Sequence, residues 1–335
     1  MVLNLRTFSF AESVEDDPTP PKNFSLMEIR VATHNFSHDN FIEEGTFDKV
    51  YWGRLADGLL GAVKRARFVD DWTKEIFEAE MQVGRMVSMH PNVLCLRGLC
   101  RTKKKILMVY PLICECSPAY YLRGRPDRST RPLDWTTRKF IALGAARGLA
   151  HLHDQGSVKI MHREICTSTI SLNAKFEAVI GRFSVCHYVN VNNPHICSAN
   201  VSIAPEYWHT GKCTLKNDGY AYGKMPLELI SGQSPFTLDM LEHDENLSLE
   251  EWIGGFMSKN EGKYMEEAEQ LVRLAMLCSD GDPSVRPKMS EVVSMIESQM
   301  LGQDPNRRRN WSGSEHDSTP YYSFPPSPSL PMEIC

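Results

Sequence analysis

Apolar residues recur at three-and-four spacing at Phe140, Ile141, Gly144, Ala145, Gly148, Leu149 and Leu152, a repeat that commits the chain from about Trp135 to a long helix with one buried face. Asp134, just ahead of it, offers the side-chain acceptor that a helix N-terminus needs. The spacing returns at Ala268, Leu271, Val272, Ala275 and Cys278, and again at Met289, Val292, Val293, Ile296 and Met300. The chain ahead of Trp135 is built differently. Val50–Trp52 runs through the turn signal Ala56-Asp57-Gly58 to Ala62–Lys64. A stretch with helical potential spans Trp72 to Met86, and apolar runs follow at Val93–Leu96 and Ile106–Tyr110. A small strand-rich part before a larger helical part predicts an α+β fold in two lobes.

The chain has 335 residues, 42% of them hydrophobic, enough for a core of that size. Its net charge of −5 supplies no basic excess, which argues against nucleic acid as a partner. No run reaches the roughly eighteen apolar residues of a transmembrane segment. Neither end reads as a secretory leader or a lipidation signal. Ten cysteines at irregular spacing form no C-x-x-C pair, so no metal site is expected and the thiols read as reduced, in a cytoplasmic protein. Residues 11–22 are acidic and Pro-rich, while 302–335 carry Arg307–Arg309 and a Ser/Pro-rich stretch. Segments 1–23 and 300–335 are therefore expected to be mobile flanks, with Thr19-Pro20, Thr319-Pro320 and Ser327-Pro328 as sites open to phosphorylation.

Between the flanks, short motifs follow one another in a fixed order: Glu43-Glu44-Gly45-Thr46-Phe47-Asp48-Lys49-Val50, Ala62-Val63-Lys64, His162-Arg163-Glu164, Arg182-Phe183-Ser184, Ala204-Pro205-Glu206, Asp218 with Gly223, and Arg286-Pro287. Together they resemble the protein kinase family. Stretches such as LDWTTRKFIALGAARGLAHLHD and RPKMSEVVSMIE are most similar to plant receptor-like kinases, in particular the cytoplasmic kinase domain of the somatic embryogenesis receptor kinases. The resemblance covers about residues 24–299 and implies a bilobal kinase fold, with an N-lobe over about 24–112 and a C-lobe over about 113–299.

The resemblance also marks departures. Phosphoryl transfer is mostly positioning and charge neutralisation, and the family's G-x-G-x-x-G loop lets bare backbone amides approach the phosphates. Here only Gly45 remains of the three glycines; Glu43 and Asp48 hold the others' places. Each such charge near phosphate costs about 1 kcal/mol in water and about 4 at an effective dielectric of about 20. Lys64 matches the phosphate-gripping lysine and Glu80 its helix partner, with Glu78 as the alternative. Val50 and Ala62 match nucleotide-lining positions. Glu164 stands at the base position with one methylene too many, Cys166 replaces a lysine, and Ser171 replaces a leucine beneath the adenine. Thr169 and Arg182 occupy the two metal-ligand positions, so ATP binding is doubtful and Mg²⁺ binding is not expected.

What matches is the scaffold. Glu206 and Arg286 match a buried ion pair, Asp218 the brace of the catalytic loop, and His162 and Phe183 two stacked spine positions. A buried Arg182 needs a counter-charge, and the expectation is a clamp to Glu164, with Glu80 as the alternative. The function implied is that of a pseudokinase: a signalling scaffold or regulator of membrane receptor kinases, reaching the plasma membrane through a partner. The alternatives are a weak ATP-dependent Ser/Thr kinase using Lys64 and Glu164, and a non-functional receptor relic.

Overall fold

The computed structural model describes residues 21–45, 47–87, 89–113, 116–123, 133–154, 159–183, 187–188, 202–234, 255 and 264–300. The Ser/Thr-Pro pairs and Ser184 lie outside them.

The N-terminal lobe is a six-stranded sheet. Its strands are β1 (Lys22–Asn23), β2 (Phe41–Glu44), β3 (Asp48–Arg54), β4 (Leu60–Ala66), β5 (Gly98–Arg101) and β6 (Ile106–Pro111), in the order β1-β5-β6-β4-β3-β2. The sheet thus reaches back to Lys22, two residues ahead of the boundary read from the sequence, through parallel pairing of Lys22 with Gly98. The unbroken apolar run Ile106–Tyr110 is a central strand buried on both faces. Alternation sends Ile106, Met108 and Tyr110 to one face, against Ile76, Phe77 and Met81 of helix α2 (Asp71–Met86). Leu107 and Val109 go to the other, against Ile29 and Ala32 of α1 (Leu26–Ala32). Helix α1 begins in a capping box: the Ser25 hydroxyl accepts the Glu28 amide at 3.1 Å, and Glu28 accepts the Ser25 amide at 2.6 Å. Asp70 caps α2 by accepting the Thr73 amide at 2.7 Å.

The apolar run Val93–Leu96 is not one of the sheet's strands. The Leu94 amide donates to the Ile180 carbonyl at 2.7 Å and the Ile180 amide to the Asn92 carbonyl at 2.9 Å, so this segment ties the lobes together. Val93 is buried in the C-lobe core and Leu96 in the N-lobe core.

The C-terminal lobe is built on α3 (Pro118–Arg123), α4 (Trp135–Asp154), α5 (Pro205–Thr210), α6 (Leu215–Ser231), α7 (Met265–Cys278) and α8 (Met289–Met300). Asp134 caps α4 as its position predicts, accepting the Thr137 amide at 2.8 Å. Glycine in mid-helix costs about 1 kcal/mol relative to alanine, and Gly148 has a reason to bear it. A Cβ there would lie 2.5 Å from the Asn92 carbonyl oxygen, where the crossing segment presses against α4. Short strands β7 (Ile160–Met161), β8 (Ile170–Leu172), β9 (Ala178–Ile180) and β10 (His187–Tyr188) sit at the lobe junction; β7 pairs with β10 and β8 with β9. Cys95, Cys100, Cys166, Cys213 and Cys278 are thiols, but the expectation of reduced cysteines fails at Cys116, which is disulfide-bonded.

Candidate functional site

The upper wall of the cleft is β2, β3 and β4. Val50 lies opposite Lys64 in the β3–β4 register, and Ala62 lies opposite both Trp52 and Tyr110; Val50 and Ala62 are half-buried. Lys64 Nζ donates to Glu80 Oε2 at 2.7 Å, and the Glu80 side chain is 2% exposed. Tyr110 Oη completes the pair by donating to Glu80 Oε1 at 2.8 Å, a partner the sequence did not point to. Glu78, the alternative, instead pairs with Arg101 at 2.6 Å on the surface.

Lys64 has a second carboxylate. Asp48 sits two residues before Val50 on the same strand face, the diagonal cross-strand position, and its Oδ2 lies 3.4 Å from Lys64 Nζ. Its side chain is only 19% exposed, so this acid turns inward. Its Oδ1 lies 2.8 Å from where a Cβ on Gly45 would stand, so the glycine is needed for the carboxylate to tuck beneath the turn. Burial pulls the Lys64 pKa down, but Glu80 and then Asp48 outweigh it and hold the ammonium above the usual lysine value. The rest of the loop is held by further charges: Glu44 pairs with Lys49 and with Arg67, each at 3.0 Å.

The lower wall comes from the turns that follow β7 and β9. Asp218, in the first turn of α6, accepts the His162 and Arg163 amides, each at 2.7 Å, and faces His153 Nε2 at 2.9 Å. Burial raises the Asp218 pKa, yet the bond to His153 and the neighbouring donors carry it below the usual aspartate value. The His162 ring donates from Nε2 to the Gly181 carbonyl at 2.7 Å, and its Nδ1 accepts the Glu164 amide at 3.2 Å. That arrangement holds the neutral tautomer, and burial lowers the imidazole pKa below its usual value. Phe183 meets His162 edge-on with centroids 5.8 Å apart. The Asp218 hydrogen bonds to the loop and the His162–Phe183 ring contact are thus both present. His153, on the buried face of α4, was missed because nothing in its spacing separates it from a core residue.

The metal positions do not fit a metal. The Thr169 hydroxyl donates to the Glu164 carbonyl at 2.5 Å and accepts the Cys166 amide at 3.1 Å, so it closes its own loop. Arg182 places a cation where a metal ligand would stand. Among the described residues, no group of three His, Cys, Asp or Glu is placed to hold a metal ion.

The expected clamp between Arg182 and Glu164 is not formed. Arg182 adopts φ 59° and its side chain is 53% exposed, so the premise of a buried guanidinium fails. It turns instead to Glu43 across the cleft, 3.6 Å away. Glu164 contributes only main-chain hydrogen bonds among the described residues. Arg163, also left-handed at φ 68°, keeps Nε and Nη2 buried without a hydrogen-bond partner among the described residues. It borders a pocket with Tyr207, Cys213 and Asn217.

Behind the cleft, Arg286 Nη1 and Nη2 donate to Oε1 and Oε2 of Glu206, each at 2.8 Å, with Arg286 buried and Glu206 only half-buried.

A six-stranded sheet that carries a buried lysine–glutamate pair, followed by a helical lobe that carries a braced histidine loop, defines a protein-kinase fold. The chain belongs to the protein tyrosine and serine/threonine kinase family, whose profile matches residues 36–296. It is 38% identical over 314 residues to a probable LRR receptor-like serine/threonine-protein kinase of Arabidopsis thaliana, covering 88% of this chain and 50% of that protein. It is 36% identical over 299 residues to the LRR receptor kinase SERK2 of Oryza sativa subsp. japonica, covering 84% and 49%. The chain spans about half the length of the curated relatives it matches. No described helix is long and apolar enough to cross a membrane.

Proposed function

We propose that this kinase-fold protein works without transferring phosphate, as a pseudokinase that binds and regulates signalling partners, receptor kinases foremost among them. The observation that carries the reading is that Lys64 and Arg182, cations of the cleft, are met by carboxylates of the loop that would otherwise cradle phosphates. Asp48 lies on Lys64 and Glu43 on Arg182. A nucleotide would have to displace Asp48 and would meet its charge at close range, while Thr169 and Arg182 offer no ligand for a bridging metal. The complete Lys64–Glu80 pair and the Asp218 brace favour one second reading, a weak ATP-dependent Ser/Thr kinase, because both are parts such an enzyme would need.

Any ligand of the native state raises the melting temperature by mass action. The full chain is expected to show no shift with millimolar ATP, with or without Mg²⁺ or Mn²⁺. Asp48→Asn removes the charge while keeping the shape, and should gain ATP affinity by at least about tenfold. A parent protein that ATP stabilises as strongly as it stabilises Asp48→Asn would overturn this account of the cleft.

A further inference from the structure

The outer face of the N-terminal sheet, on the far side from α2, carries a charge cluster that the cleft does not use. Arg65 follows Val63 by two residues on β4 and so shares its face, the one α1 covers. Its guanidinium carbon lies 4.7 Å from the Phe36 ring centroid, and Lys105 Nζ lies 5.5 Å from the same centroid. Two cations thus share one aromatic ring. Arg30 projects from α1 close enough that its charge acts on Lys105, and Lys103 and Lys104 are exposed in the turn between β5 and β6. Among the described residues, none of these five cations forms an ion pair with a carboxylate. Glu28, the acid of α1, is already engaged by the Ser25 amide and by Lys22 at 3.7 Å. Burial first, and then the Arg65 and Arg30 charges, hold Lys105 below the usual lysine value, as expected where like charges gather without counter-ions.

Beside these cations stand two apolar side chains with no packing role. Met27 is 69% exposed and Val31 68%, one turn apart on α1 and flanking Arg30. We propose that this face, Arg30, Arg65, Lys103, Lys104 and Lys105 with Met27 and Val31, is a docking surface for an anionic phospholipid membrane. Charge complementarity selects an anion, since five unneutralised cations gather on one face of a chain whose net charge is −5. The exposed methionine and valine select a bilayer among anions: apolar side chains enter the boundary below the headgroups while the cations hold the phosphates. Nucleic acid or an acidic peptide would draw on the cations alone. The inference does not depend on whether the cleft transfers phosphate.

The test is co-sedimentation of the full chain with vesicles of phosphatidylcholine alone, or with about 30% phosphatidylserine, at about 0.1 M and 0.5 M salt. Binding is expected only to the anionic vesicles and should weaken steeply at the higher salt. K103S/K104S/K105S should weaken it by on the order of 100-fold, at about fivefold per cation. M27S/V31S should weaken it several-fold without changing the charge. R307S/R308S/R309S, in the tail, and Lys212→Ser, in the other lobe, should bind as the parent does, and unchanged melting temperatures establish that the variants fold. Equal binding to neutral vesicles would overturn the proposal, as would loss with the tail variant but not with K103S/K104S/K105S. So would tighter binding to single-stranded RNA or polyglutamate that ignores M27S/V31S.

Discussion

Arg286→Ala is expected to lower the free energy of unfolding by about 3–5 kcal/mol, the range for breaking a buried ion pair from one side. The Arg286 side chain is 0% exposed. Besides the two-pronged contact with Glu206, its Nε donates to the Asp280 carbonyl at 2.7 Å and Nη1 to the Lys216 carbonyl at 3.1 Å. Its guanidinium carbon also lies 5.0 Å from the centroid of the Tyr220 ring. Truncation leaves the Glu206 carboxylate with Asn217 Nδ2 at 3.2 Å as its remaining side-chain donor among the described residues. Arg286→Lys keeps the charge but cannot reproduce the fork, so it should fall between the parent and alanine. Burial raises the Glu206 pKa, and the Arg286 hydrogen bonds more than reverse this, so the carboxyl sits below the usual glutamate value. A depressed carboxylate contributes stability above its unfolded pKa and loses it as pH falls through the folded value. The gap between parent and Arg286→Ala should therefore narrow below about pH 4. Urea midpoints at pH 7 and in acid measure both effects; an unchanged midpoint at pH 7 would show that the pair does not brace the C-lobe.

Asp218→Ala should cost a similar amount, about 3–5 kcal/mol, because three buried donors lose one acceptor together. Two of them are consecutive backbone amides, His162 and Arg163, and the third is His153 on α4. The position is favourable for a carboxylate because the first turn of α6 presents the positive end of its helix dipole. Arg163 holds a left-handed φ of 68°, a conformation costing about 1–2 kcal/mol, so the turn depends on that brace. In a double-mutant cycle with His153→Ala the losses should be strongly non-additive. Losses that simply add would mean that His153 and Asp218 act independently.

The two-lobe architecture was legible because it rests on periodicity: the spacing of Phe140 to Leu152 marked a long helix, and Ile106–Tyr110 an apolar run of the strand-rich part. The expected single buried face of α4 is not what forms, since Ile141–Ala146 are buried without a break and the helix is covered all round. Val93–Leu96 misled because its backbone pairs with Ile180 across the lobes rather than within the sheet, which an apolar run does not reveal. At the site, Lys64 with Glu80 followed from the motif, and the structure placed Glu78 on Arg101 instead. The partner of Arg182 was not legible. Choosing Glu164 assumed burial, and a positive φ at Arg182 sends a long, solvated side chain to Glu43 instead. The reach of Asp48 to Lys64 could have been found, since residues two apart on β3 share a face and Val50 lies opposite Lys64. Tyr110 and His153 had no such signal; each is a polar tip on a residue whose position reads as core.

Phosphoryl transfer tests the account of the cleft most directly. The full chain, incubated with radiolabelled ATP and Mg²⁺ or Mn²⁺, alone and with a general protein substrate, is compared with Lys64→Met. With Asp48 on Lys64, Glu43 on Arg182 and the Thr169 hydroxyl turned into its own loop, incorporation should be no greater than in Lys64→Met. Incorporation by the parent that disappears in Lys64→Met would show that Lys64 grips a nucleotide productively and would contradict the proposed function.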